Sequence, residues 1–102
     1  MTTIVVLVKL KEGVSPEDYE RWVQEGYAPE VRELSAVSDW RNHRVGGLLG
    51  SDERPPYDYV VTLQVDDLAR LGEDMAGERM RALLSELHGY AEVTQMTAER
   101  FV

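Results

Sequence analysis

The residues of this sequence best equipped for chemistry stand in one run, Asp39-Trp40-Arg41-Asn42-His43-Arg44. Histidine is the side chain suited to proton transfer near neutral pH, which makes His43 the candidate general acid or base. In an extended chain Asp39, Arg41 and His43 share one face, and Trp40, Asn42 and Arg44 the other. Asp39 then reaches His43 through a water or a longer geometry, to orient it or to act as a second proton carrier. Arg41, between them, suits an anion or an enolate. A half-buried strand alternates apolar and polar residues, and this one does not. A strand that breaks the packing rule at one end is expected to wall a site; the plainer alternative is a hydrogen-bonded histidine on a wet sheet edge.

Other side chains can join such a site. Tyr27, Tyr57 and Tyr59 have hydroxyls able to donate to a carbonyl, although buried tyrosines more often serve as core residues with a satisfied hydroxyl. Trp22 and Trp40 can form flat walls for an aromatic ligand, with core packing the simpler role for Trp22. Glu30 falls on the inward stripe of a helix beside Tyr27, as a second proton carrier or as a helix-end carboxylate reaching solvent. His88 is expected to cap a helix C-terminus.

Composition removes several classes of function. The 102 residues carry a formal net charge of −8 and no cysteine. The acidic balance argues against nucleic acid and against an anionic membrane surface. Without cysteine there is no disulfide, thiolate nucleophile or zinc–thiolate site. His43 and His88 have no metal-ligand spacing, so neither a metal nor an organic cofactor is expected. Gly46-Gly47 and Gly50 lack the Lys-Ser/Thr of a phosphate loop. The apolar run Ile4–Val8 is too short for a leader or a membrane span, which makes a cytoplasmic protein the expectation.

The elements that must position these residues can be read from periodicity. Thr3–Leu10 reads as a strand apolar on both faces, hence covered on both. Ser15-Pro16 opens a helix as N-cap and first residue. Tyr19, Trp22, Val23, Tyr27, Val31 and Leu34 continue it, and Pro29 should kink it near Glu25 to Ala28. The charged run is strand two and Gly50–Pro56 a polar loop. Tyr57–Val65 is strand three, alternating throughout. Asp66-Asp67 caps a second helical region that Gly77 interrupts and His88-Gly89 closes. Strand four spans about Ala91 to Val102. The order βαββαβ is the ferredoxin-like pattern, a four-stranded antiparallel sheet with helices on one face, in a single domain over residues 1–102. The bare face is too apolar for water, and a homodimer pairing sheet to sheet would cover it.

Three segments carry a likeness: Ile4-Val5-Val6-Leu7-Val8-Lys9, Tyr19-Glu20-Arg21-Trp22 and Tyr27-Ala28-Pro29-Glu30-Val31. Together they resemble the dimeric α+β barrel superfamily, and within it the small RedY-like proteins found with prodigiosin-type and bis-indole pigment pathways. The resemblance spans nearly the whole chain. Many relatives have His-x-Pro-x-Val at the end of the first helix; here Tyr27 replaces the histidine while Pro29 and Val31 match. That departure makes His43 the natural replacement base. The resemblance implies a cofactor-independent enzyme of secondary metabolism that cyclises a flat bis-indole, pyrrole or polyketide-like intermediate between the sheet and the kinked helix. His43, Asp39, Glu30 and Tyr27 would be its catalytic residues, with Arg41, Trp40, Trp22, Tyr57 and Tyr59 binding the substrate. A cofactor-free aromatic monooxygenase and a non-catalytic ligand-binding barrel are the alternatives.

Overall fold

The computed structural model describes residues 2–102. Strand β1 (Thr2–Leu10) leads into helix α1 (Pro16–Trp22), a π-helical turn (Val23–Tyr27) and helix α2 (Ala28–Arg32). Strands β2 (Val37–Arg44) and β3 (Tyr59–Val65) come next, then helices α3 (Leu68–Met75) and α4 (Glu78–Tyr90) and strand β4 (Ala91–Ala98). The four strands form one antiparallel sheet in the order β2-β3-β1-β4. This is the expected ferredoxin-like βαββαβ architecture, with the helices packed on one face.

Local chemistry explains the boundaries. Ser15 Oγ accepts from the Asp18 N–H at 3.4 Å, with Pro16 as the first helical residue. Asp67 caps α3 by accepting from the backbone of Ala69 and Arg70. The kink expected at Pro29 takes a specific form. Proline has no N–H to give the Glu25 carbonyl, and its ring clashes with that carbonyl in a regular helix. The backbone widens by one residue instead, and the Ala28 N–H bonds to Val23 O, five residues back.

Three expected boundaries move. Strand three starts at Tyr59, because Asp58 turns its carboxylate onto the Leu10 N–H at 2.8 Å. Strand four stops at Ala98, short of Val102. His88-Gly89 does not end α4: the helix runs on through Tyr90, so that Tyr90 packs on the core and Ala91 is buried. The Lys11 ammonium meets the His88 carbonyl near that end.

The core lies between helices and sheet. Val8 of β1 and Tyr59, Val61, Leu63 and Val65 of β3 face Tyr19, Val23, Ala28 and Leu87. A second cluster, Val31, Met80 and Leu83, joins α2 to α4. β3 shows strict alternation in burial, so its odd-numbered residues mark the helix side.

The register of β2 against β3 decides which of its residues look under the helices. Val37 pairs with Val65, yet Asp39 pairs with Gln64, so Ser38 is an extra residue, a bulge. Past the bulge, Trp40, Asn42 and Arg44 oppose Leu63, Val61 and Tyr59 on the helix side. Asp39, Arg41 and His43 oppose Gln64, Thr62 and Val60 on the other. Ser38 Oγ donates to Gln64 O at 3.3 Å within the bulge.

The entrance to β2 is held from α3. Asp74 accepts from the Ala36 N–H and from Ser35 Oγ, both at 3.1 Å, and Ala36 is fully buried. Asp74→Ala strands that buried N–H and is expected to cost about 1–3 kcal/mol. Urea unfolding should show a lower midpoint at unchanged slope, with Asp74→Asn, which keeps the acceptor, losing less.

Candidate functional site

A cavity of about 120 Å³ lies between the sheet and the helices. Its floor is Ile4, Val6 and Val8 of β1 with Val61 and Leu63 of β3, and its roof comes from Val23, Val31, Leu84 and Leu87. Tyr27 and Trp40 close one side, and Asn42 and Gln95 supply polar groups in an otherwise apolar lining. An apolar cavity of roughly 150 Å³ holds a benzene ring, so this space suits one ring. It adjoins a wider, polar mouth of about 460 Å³ lined by Glu20, Gln24, Arg32, Arg44 and Tyr59. Tyr19, Val23, Trp40 and Asn42 border both spaces.

The π turn sets the aromatic wall. In a regular α-helix, residues five apart point roughly 140° away from each other. Across the widened turn the Trp22 and Tyr27 rings stand 5.1 Å apart between centroids, and Tyr27 stands 6.3 Å from Trp40. Trp22 packs behind this wall and donates its indole N–H to Glu86 at 3.2 Å. Burial pushes the Tyr27 hydroxyl pKa up, so Tyr27 is a neutral O–H donor at physiological pH.

One polar atom in the wall is unsatisfied. Asn42 Oδ1 is buried with no hydrogen-bond partner among the described residues. Buried acceptors are nearly always paired, so an orphaned one in a cavity wall is open to a donor from a ligand or from a water.

At the mouth Glu20 ties α1 to the ends of β2 and β3. Its Oε2 accepts from Arg44 Nε and from the Tyr59 hydroxyl, each at 2.8 Å, and its Oε1 meets Arg44 Nη2. The Arg44 hydrogen bonds first, and the Tyr59 one second, lower the Glu20 carboxyl to about 2. The Tyr59 hydroxyl pKa is raised, by burial and then by its bond to Glu20, and the Arg44 pKa by its bond to Glu20.

The residues singled out in the sequence divide between two faces. Tyr27 and Trp40 line the cavity, Tyr59 lines the mouth, and Trp22 backs them. Asp39, Arg41 and His43 do share a face, but it points away from the helices. Alternation alone leaves open whether this face meets the kinked helix or the outer side of the sheet; the Ser38 bulge turns His43 outward, away from the cavity under the helix. There Arg41 Nε pairs with Asp39 Oδ2 at 3.0 Å, and His43 Nδ1 lies 3.2 Å from Val60 O. Glu30 is taken by Arg79 of α4, at 3.4 Å, and lines neither space. Tyr57 precedes β3 and lines neither. Glu20 and Gln95 were given no role from the sequence, and Asn42 and Arg44 were placed only on a face with Trp40. The available signal was that the alternating apolar face of β3 must meet the helices, so the β2 residues beside Trp40 belong with it. Among the described residues no three carboxylate or imidazole groups gather where a metal ion would sit, and no helix is long and apolar enough to cross a membrane.

Residues 2–101 match the family model of the REDY-like protein HapK, and the chain belongs to that family. Among solved structures it is similar to HapK from Hahella chejuensis, with a TM-score of 0.81 and 24% identity over 99% of this chain and 93% of that one. It is similar to a dimeric ferredoxin-like protein of unknown function from Thermobifida fusca, with a TM-score of 0.75 and 13% identity over 97% and 90% of the two chains. It is also similar to SnoaB, a cofactor-independent oxygenase from Streptomyces nogalater, with a TM-score of 0.76 and 13% identity over 99% and 93%. No curated protein matches the sequence. These likenesses show the ferredoxin-like α+β fold.

The Glu20 clasp gives stability a defined acid limb. Its folded pKa lies below the ordinary 4.5, so its contribution is whole above pH 4.5 and is lost as pH falls towards about 2. Urea unfolding of Glu20→Gln against the parent should show a gap that is widest at neutral pH and closes over that window.

Proposed function

We propose that this member of the REDY-like HapK family is a small, cofactor-independent enzyme of secondary metabolism that promotes cyclisation of a flat aromatic intermediate of bis-indole, pyrrole or polyketide-like type. The observation that carries the reading is the unpartnered Asn42 Oδ1 in the wall of an aromatic-flanked apolar cavity. Sites for small molecules are mostly apolar with a few placed polar groups. The similarity of the fold to a cofactor-independent oxygenase supports a setting in cofactor-independent chemistry.

The chemistry assigned to the residues is modest and consistent. One ring sits in the cavity against Trp40, and the rest of the substrate occupies the mouth. Asn42 holds a ring N–H or O–H and fixes the pose, so the reacting carbons are held in the geometry of attack. Tyr27, kept neutral by burial, donates to the oxyanion that develops as a carbonyl enolises or is attacked. Glu20 is a carboxylate well held by Arg44 and Tyr59, and with a pKa of about 2 it is a feeble base. The substrate proton therefore leaves to water in the mouth. Orientation and oxyanion stabilisation supply the acceleration, and His43 has no part in this step.

The sheet face that carries His43 has a different role in this reading: it packs on a second copy. Val5, Leu7 and Val60 are half-buried there, and Met96 is 45% exposed. β2 is an edge strand, so Asp39, Arg41 and His43 sit at the rim of the interface. The similar Thermobifida fusca protein is itself a dimer.

Three measurements test these readings. Poly-β-ketone and coupled indole or pyrrole substrates are incubated with the protein while oxygen and product mass are followed. A cyclase gives products of equal mass, or lighter by one water, with no oxygen consumed; oxygen uptake with an oxygenated product selects the monooxygenase and overturns the proposal. Tyr27→Phe should lower kcat by roughly 10²-fold, as loss of one oxyanion donor does, whereas His43→Ala should stay within about twofold of the parent. In sedimentation, the parent should run at twice the chain mass and Leu7→Glu at the chain mass with its circular dichroism retained. A parent that stays monomeric at high micromolar concentration disposes of the dimer.

A further inference from the structure

We propose that the cavity takes aromatic acids: a ring held under the helices, with a carboxylate at the mouth bound by Arg32. The inference rests on the cavity reading above and adds the charge of the substrate.

Arg32 is the last residue of α2. Its guanidinium lies over the Trp40 ring, 5.4 Å from the centroid. Its lack of a partner sets it apart from its neighbours. Arg44, across the same mouth, is engaged by Glu20 through both Nε and Nη2. Arg41, in the shallow groove beside it, is paired with Asp39. Arg32 has no ion-pair partner among the described residues. The mouth thus contains one balanced pair, Glu20 with Arg44, and one unbalanced cation. Arg32 gives the mouth a local excess of one positive charge in a chain of net charge −8.

A place over the Trp40 ring leaves the guanidinium suited to this task. Its donors lie in its own plane, so an arginine laid on an aromatic face keeps its edge N–H groups open to a carboxylate. The two spaces share Trp40 and Asn42. A ligand whose ring donor meets Asn42 Oδ1 therefore extends its other substituent past Trp40 towards Arg32. Ring, donor and carboxylate together define the class: hydroxyaryl or N–H heteroaryl acids.

Three ring-sized probes separate the contributions: 4-hydroxyphenylacetate, 4-methylphenol and tyramine. Each has one ring and one phenolic donor, and they differ in the charge of the tail. Titrations followed by NMR chemical shifts on the parent should rank the acid first, about threefold to fivefold tighter than 4-methylphenol, with tyramine weakest, as a charge-assisted hydrogen bond at an exposed guanidinium implies. Arg32→Gln should bring the acid down to the affinity of 4-methylphenol and leave 4-methylphenol itself unchanged. Arg32→Lys should keep part of the preference. Equal binding of acid and 4-methylphenol by the parent, or an equal loss of both in Arg32→Gln, overturns the assignment of Arg32 and leaves the cavity reading standing. Binding of none of the three at millimolar concentration overturns both.

Discussion

A single inserted residue, Ser38, governs what the sheet shows to its two sides. A strand's side chains alternate with period two, so one extra residue exchanges the faces of everything beyond it. Val37 sits on the helix side opposite Val65. Without the bulge, Asp39, Arg41 and His43 would join it there and bury three ionisable groups in the apolar core. With the bulge, Trp40 enters the core beside Leu63, and Asn42 is the next residue on that side, a polar one. The cavity, its aromatic side and its unsatisfied acceptor all depend on that local irregularity.

The helical layer answers with an irregularity of its own. Pro29 forbids a regular helix over the preceding turn, and the chain adopts a π turn from Val23 to Tyr27. The same widening brings Tyr27 alongside Trp22 and turns it towards Trp40. From there an aromatic chain continues through Trp22 to Tyr90 and Tyr19, and on to Tyr59 at 5.0 Å from Tyr19. Rings with few rotatable bonds hold a wall in place at low entropic cost. Both departures from regular backbone fall where the cavity forms, which is where such departures tend to concentrate.

Much of the architecture could be read directly from residue types. The N-caps at Ser15 and Asp67, the alternation of Tyr59 to Val65 and the break at Pro29 each state a local preference that the tertiary structure leaves intact. The site was less legible, for a physical reason. Residue spacing says which side chains share a face, and Asp39, Arg41 and His43 do. It does not say which face meets the helices, because a bulge at Ser38 has no mark in composition; serine is ordinary in strands and turns alike. Glu20 and Arg44 lie 24 positions apart, and only the crossing of α1 over the sheet edge brings them together. Glu30 misled for a related reason. The helical wheel put it beside Tyr27, but the π turn rotates the residues beyond it, and Arg79 of α4 takes Glu30 outward.

The Glu20 clasp has a kinetic meaning as well as a structural one. Arg44 is 71% exposed and Glu20 23% exposed at their side chains, and an ion pair with one partner this open to water is quickly remade. The clasp therefore sets the width of the mouth on average without barring it. In the proposed reading a guest is held at two points, Asn42 inside and Arg32 at the mouth, and the time it stays rather than its entry sets the choice. A clasp that is remade quickly makes the entrance a place of rapid exchange.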